Sequence, residues 1–293
     1  DERSLAPLQA LPHHEQAQAL ETAYDAQYRR FNYDQRSDYG PWFRELLIAR
    51  SKLDLPEQRP QLTTPTTRPE HSHRTARAGI GLQSANGTDS LLLHYRPAYH
   101  DVLDDPAGYR PGSRVSVLES TLRVDLSNTG SARLGLERFT LLAVDTFTPV
   151  DALTTPISWS AFLGAEPHLG DGSTLRWHTQ PSFDASAGLT TAIGSQSYCH
   201  GQVAFANRFG PGLADGWESR IGPRLGCFGQ WPQAALQWQI DSRYLLGVGQ
   251  PSVETELGLQ WGISREHALR MTWQQAQRES HGDRLSLSWL RYF

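Results

Sequence analysis

Asp283-Arg-Leu-Ser-Leu-Ser-Trp-Leu-Arg-Tyr-Phe293 is the stretch from which the architecture follows. Side chains alternate between the two faces of a strand. Leu285, Leu287, Trp289 and Phe293 therefore share one face, and Ser286 and Ser288 lie on the other. The segment reads as a strand that is apolar outside, polar inside and ends on an aromatic ring. Arg291 interrupts the apolar row. With Phe293 at a membrane interface, its long side chain can reach the headgroups. One such strand suits a soluble sandwich as well as a membrane barrel, so the issue is whether the pattern repeats.

It does. His267 to Gln275 sets Leu269, Met271 and Trp273 against Arg270, Thr272 and Gln274. Ser252 to Ile263 opposes Val253, Leu257, Leu259 and Trp261 to Glu254, Glu256 and Gln260. Ala234 to Val248 opposes Leu236, Trp238, Ile240, Tyr244 and Leu246 to Gln237, Gln239, Asp241 and Arg243. Lipid on one side and a wet lumen on the other produce this alternation. Continued toward the N-terminus, the period predicts strands near 75–85, 88–98, 113–127, 132–147, 156–166, 174–193, 197–209, 219–230, 234–247, 252–263, 267–277 and 283–293. The predicted fold is all-β: a twelve-stranded antiparallel transmembrane outer-membrane β-barrel over residues 74–293, closed by pairing of the last strand with the first. Residues 1–73 are predicted to be a short α-helical periplasmic lead-in followed by a linker. An even strand number puts both ends of the barrel on the periplasmic side.

Composition agrees. The 293 residues carry a formal net charge of −4 with basic residues scattered, which gives no electrostatic reason for a nucleic-acid partner. Mean hydropathy is −0.51, and no window approaches the ~18 apolar residues of a spanning helix, whereas a spanning strand needs only ~10. Nine Trp, ten Tyr and ten Phe suit aromatic girdles, although a sugar-binding β protein could share them. The expected surroundings are outer-membrane lipids and lipopolysaccharide. Asp1 is not preceded by a charged and apolar leader, as expected if a leader was removed or, preferably, if the chain begins within a longer protein.

Ahead of the barrel, Glu15 to Tyr28 is rich in Ala, Glu and Gln, with Ala17, Leu20, Tyr24 and Tyr28 at helical spacing. Trp42 to Arg50 offers a second helix with Phe43, Leu46 and Leu47 as its apolar face. Leu53 to His73 is rich in Pro and Thr and reads as an extended linker. Two short helices cannot bury a core unaided, so docking on the barrel end or connection to a further module is expected. Tight joins at 264–266, 231–233 and 194–196 fall on the predicted periplasmic side. The longer Tyr99 to Gly112 and Pro149 to Thr155 do too, which implies either a strand count off by one or, the preferred reading because the linker and helices enter at that end, an elaborated rim.

Inward faces would carry Arg96, Glu119, Arg123, Arg208, Arg224, Arg243, Glu254, Glu256 and Arg270. Mixed signs in so narrow a barrel predict a side-chain network that fills the bore, with a narrow charged conduit as the alternative. Cys199 and Cys227 are equidistant from Leu213, so a symmetric hairpin sets them opposite each other, either bridged or as two thiols. Their same-face neighbours Val203, Phe205, Ile221 and Leu225 are apolar and no activating base is visible, which argues against a catalytic thiol.

His71, His73, His94 and His100 surround the first hairpin, with Asp101, Asp104 and Asp105 nearby. They are read as a structural rim. His71-Ser-His73 as metal ligands and His94, His100 and Asp101 as a hydrolytic set are the weaker readings, and no metal or cofactor is expected. Rim candidates for docking are His71, His73, Tyr99, Tyr109 and Trp159.

Several segments carry a resemblance. His94-Tyr-Arg-Pro-Ala-Tyr-His-Asp101, Leu103-Asp-Asp-Pro-Ala-Gly-Tyr-Arg-Pro-Gly112, and Pro156-Ile-Ser-Trp159 after Asp151 resemble the C-terminal half of a proteobacterial outer-membrane family. In that family a papain-like periplasmic domain, similar to lipoprotein N-acyltransferases, precedes a helical segment and a barrel. Glu15 to Tyr28, Ala49-Arg-Ser-Lys-Leu53 and His71-Ser-His-Arg74 look like its connector, and the aromatic ending resembles the final strand of outer-membrane barrels. The resemblance implies acyl-transfer or thiol-hydrolase activity in a domain upstream of Asp1 and carries no catalytic residue onto this chain. The favoured function is a non-conducting barrel that anchors a periplasmic module or partner chain. A small-solute channel and a lipid hydrolase using His94 or His100 are the rivals.

Overall fold

The computed structural model describes residues 4–34, 40–55, 72–126, 133–169, 177–210, 213, 215–247, 249–277 and 281–293. Most of the predicted linker, and His71 with it, lies outside them. The chain divides into two compact units, residues 1–65 with 151–155, and residues 66–150 with 156–293.

In the first unit, helices α1 (His13–Asp34) and α2 (Gly40–Ser51) pair. Leu20, Trp42 and Leu46 form the buried cluster, with Leu8, Tyr24 and Ala49 packed on it. Arg50 bonds Glu21 at 2.6 Å across the two helices. The buried face of α2 differs from expectation. Trp42 and Leu46, one turn apart, face α1, whereas Leu47 points away and is 52% exposed. Phe43 packs edge-on against Tyr24, Tyr28 and Phe31.

The second unit is a closed antiparallel barrel of β1 (Arg77–Ala85), β2 (Thr88–Arg96), β3 (Ala98–His100), β4 (Ser113–Asp125), β5 (Arg133–Thr146), β6 (Ser158–Leu169), β7 (Trp177–Ala192), β8 (Ser197–Phe209), β9 (Trp217–Trp231), β10 (Leu236–Gly247), β11 (Ser252–Ser264), β12 (His267–Gln277) and β13 (His281–Tyr292). Pro97 has no N–H to give to a ladder and separates β2 from β3, which pair with successive stretches of β4. The two count as one strand, so the wall has twelve. Closure is β1 on β13, with Arg77 opposite Tyr292 and Ala85 opposite Arg284.

The faces sort as lipid and lumen require. Leu285, Leu287 and Trp289 point outward, as do Leu134, Val203 and Leu225, each more than 60% exposed, while Ser288, Gln260, Gln202 and Arg220 are buried inside. An apolar exterior around a polar interior is the pattern of an outer-membrane barrel. Cys199 and Cys227 are register partners of β8 and β9 and form a disulfide. Leu290 and Tyr292 turn inward and cluster with Ala268, so the last strand is not purely polar on its inner face.

Candidate functional site

Inward side chains of the barrel meet in layers. In the half nearest the closing residues Arg77 and Tyr292, the connection 101–112 does not stay outside. Asp101, Leu103 and Asp104 are carried into the bore. Asp101 Oδ1 accepts the backbone N–H groups of Leu103 and Asp104 at 3.0 and 3.1 Å, and Asp104 Oδ2 accepts that of Asp101 at 3.0 Å. This compact turn presents both carboxylates together. Leu103 reaches the far wall. A Cβ on inward-facing Gly258 of β11 would come within 2.6 Å of its Cδ1. The loop ends at Gly112, φ +76°, packed where a side chain would strike Phe147 and Phe228.

Three guanidiniums from three strands hold the carboxylates. Arg270 of β12 grips Asp101 with Nη1 and Nη2 at 2.8 and 2.9 Å, and Nη2 also reaches Asp104 at 3.0 Å. Arg77 of β1 donates to Asp101 at 2.9 Å and Asp104 at 3.1 Å, and to Glu119 of β4 at 2.7 Å. Arg96 of β2, fully buried, lies 3.2 Å from Asp101 and 2.6 Å from Asp104. The Tyr292 hydroxyl donates to Asp104 at 2.6 Å. Burial by itself would raise both carboxyls. For Asp101 the guanidiniums of Arg270, Arg77 and Arg96 outweigh burial and hold it well below the ordinary range, and Arg96 leads the same effect on Asp104.

Beyond this cluster, Arg224 donates to both Asp241 oxygens at 2.9 Å and to Ser160 and Ser186. Glu256 accepts from the amides of Gln239 and Gln274 at 2.9 and 2.6 Å. In the other half Arg243 bridges Asp184 and Glu254, Arg208 pairs with Glu254, and Arg123 and Arg284 pair with Glu137. Arg77, Asp101, Glu119 and Arg270 open on an internal cavity of about 350 Å³ that continues toward Asp241, Arg243 and Glu256.

All nine lumen candidates, Arg96, Glu119, Arg123, Arg208, Arg224, Arg243, Glu254, Glu256 and Arg270, are thus engaged with polar partners inside the bore. Each histidine of the hydrolytic candidates meets a serine hydroxyl. His94 bonds Thr121 and Ser288, and His100 bonds Ser113 at 2.8 Å, while both Asp101 oxygens are taken by guanidiniums and backbone N–H groups. Among the described residues no group of three or more His, Cys, Asp or Glu could hold a metal. Of the rim candidates, His73 and Tyr109 are neighbours in a row of rings, with centroids 4.8 Å from Tyr292 to His73, 5.3 Å on to Tyr109 and 4.3 Å on to His100. Tyr99 and Trp159 are exposed. Sequence reasoning missed Arg77 and Tyr292, although the inward parity of β1 and β13 could have flagged both.

Residues 66–292 match the model of the family described as Domain of unknown function (DUF7840), and residues 1–62 match that of Domain of unknown function (DUF7842). No curated protein matches the chain. Among solved structures, an outer membrane channel from Pseudomonas putida F1 is similar at 12% identity and TM-score 0.40, over 81% of this chain and 100% of that one. The NanC porin is similar at 6% identity and TM-score 0.41, over 74% and 99%. An anion-selective porin from Comamonas acidovorans is similar at 10% identity and TM-score 0.35, over 76% and 100%.

Proposed function

The chain belongs to the family described as Domain of unknown function (DUF7840), and we propose that it is a closed outer-membrane barrel whose task is to anchor, at the periplasmic face, the helical unit that precedes it and a periplasmic protein module of the papain-like kind. One observation carries this. The connection 101–112 crosses the bore, and its carboxylates are held by guanidiniums from β1, β2 and β12. Outer-membrane barrels hold either a water-filled lumen, as porins do, or one plugged by loops. This one spends three arginines on fastening its own loop across it, and Arg123, Arg208, Arg224, Arg243 and Arg284 pair with inward carboxylates, while Glu256 takes the amides of Gln239 and Gln274. Taking both partners of such pairs out of water makes sense where closure matters, because breaking one would strand a buried charge.

The periplasm is the assigned side for the end bearing Arg77 and Tyr292, since an even-stranded outer-membrane barrel returns both ends there. The test is a planar-bilayer recording of the purified chain. Absence of steady conductance is expected, and stable open channels would replace the anchor by a narrow channel for small solutes. That second reading is favoured by the charged cavity of about 350 Å³. The partner is tested by co-isolation with a papain-like polypeptide or a larger precursor containing that domain.

A further inference from the structure

We propose that Arg77, Arg96 and Arg270 form a binding site for a small solute carrying two or more acid groups, and that Asp101 and Asp104 occupy this site as a tethered stand-in. The inference rests on the reading of residues 101–112 as the closure of the bore. The geometry is that of a receptor for a dianion. Arg270 meets Asp101 through two parallel N–H···O bonds of 2.8 and 2.9 Å, the fork geometry that suits a carboxylate or a phosphate equally. Arg77 and Arg96 each span both acid groups. The second acid group also receives the Tyr292 hydroxyl.

The charges close only when the loop is in place. Three guanidiniums face three carboxylates, Glu119, Asp101 and Asp104. Two of those belong to the loop. Lifted out, it leaves two uncompensated positive charges among walls that keep water scarce, a state that an incoming dianion relieves. Independently of the ion pairs, there is room for one. Arg77 and Arg270 border the cavity of about 350 Å³, within the range of small-molecule sites. A solute in that cavity meets two of the guanidiniums that grip the loop, Arg77 and Arg270, and competes with it. Because the loop is attached, it acts at an effective concentration on the order of millimolar or more. Free dianions therefore bind the intact chain weakly.

The test is calorimetric titration of inorganic pyrophosphate into the full chain in detergent. Wild type is compared with D101N/D104N, which keeps the loop's shape and removes its charge, and with D101N/D104N/R270Q. Pyrophosphate is expected to bind D101N/D104N about 100-fold more tightly than wild type, the advantage lost with the tether's charge, and R270Q is expected to abolish the gain. Folding is scored by resistance of the unboiled barrel to SDS. If the double variant fails that check, D101N alone, which retains Asp104, is read in the same way with a gain of about tenfold. A folded D101N/D104N or D101N chain that binds no more tightly than wild type, or a gain that survives R270Q, overturns the proposal. Steady conductance of the wild type without pyrophosphate would instead sink the closed-barrel reading, so the two failures are distinguishable.

Discussion

Replacing Arg270 by Gln should loosen the loop without unfolding the wall. Arg270 supplies three of the bonds to the loop carboxylates and a fourth, at 2.7 Å, to Gln260. Removing one member of a buried, hydrogen-bonded ion pair costs about 3–5 kcal/mol. Asp101 keeps Arg77 and Arg96, and Asp104 keeps both and Tyr292, so the lower end, about 3 kcal/mol, applies. At 1.4 kcal/mol per factor of ten, the docked-to-released ratio of the loop falls roughly 100-fold. Hydrogen–deuterium exchange reads this directly. The N–H groups of Leu103 and Asp104 are bonded to Asp101 Oδ1 only while the turn is intact, and local opening sets their exchange rate. They should exchange about 100-fold faster in R270Q, with the ladder amides of β9 and β10 unchanged. R291Q, on the exposed face, should leave them alone. Exchange in R270Q within about threefold of wild type would refute the view that these pairs hold the loop.

Asp101 and Asp104 are held well below the ordinary carboxyl range in the folded chain. A depressed group stabilises fully above its free value, about 3.9, and loses that contribution as pH falls toward its folded value. Loop docking should therefore be constant from pH 8 to 5 and weaken only below about pH 4, measured as bilayer conductance at each pH; opening between pH 5 and 8 would contradict the assignment. Gly222→Ala should lower the thermal midpoint of the barrel, because its Cβ would overlap the Tyr244 carbonyl oxygen of the neighbouring strand, whereas Gly194→Ala, with open space around it, should be neutral. Cys199→Ser with Cys227→Ser removes a link across 28 residues, which costs at most about 3.5 kcal/mol on a chain-entropy estimate. Urea unfolding should show a lower midpoint with the closed bore retained.

The wall was legible because alternation is a local property. From Leu236 to Trp289 each strand states which residues face lipid and which face one another, and the equal spacing of Cys199 and Cys227 about Leu213 carries their register. The filling of the lumen was not legible in the same way. Asp101 and Arg270 are 169 residues apart, and residues 101–112 have the composition of any polar turn, so nothing local says whether such a loop stays outside or folds in. Val102 and Leu103 are the hint, an apolar pair in a turn that had no reason to be apolar. For α2 the missing information was similar. Phe43, Leu46 and Leu47 form a plausible stripe, and only the position of α1 adds Trp42 to it and leaves Leu47 outside.

The residues that hold Asp101 and Asp104 come from β1, β2, β12 and β13, the two beginnings and the two ends of the barrel. They straddle the one pairing that joins the first strand to the last. Until that pairing forms, Arg77 and Arg96 travel with one edge of the unfinished sheet and Arg270 and Tyr292 with the other, and no site for the loop exists. Seating the loop is thus a latch across the seam: it can engage only after the cylinder has closed, and once engaged it opposes the seam's parting toward lipid.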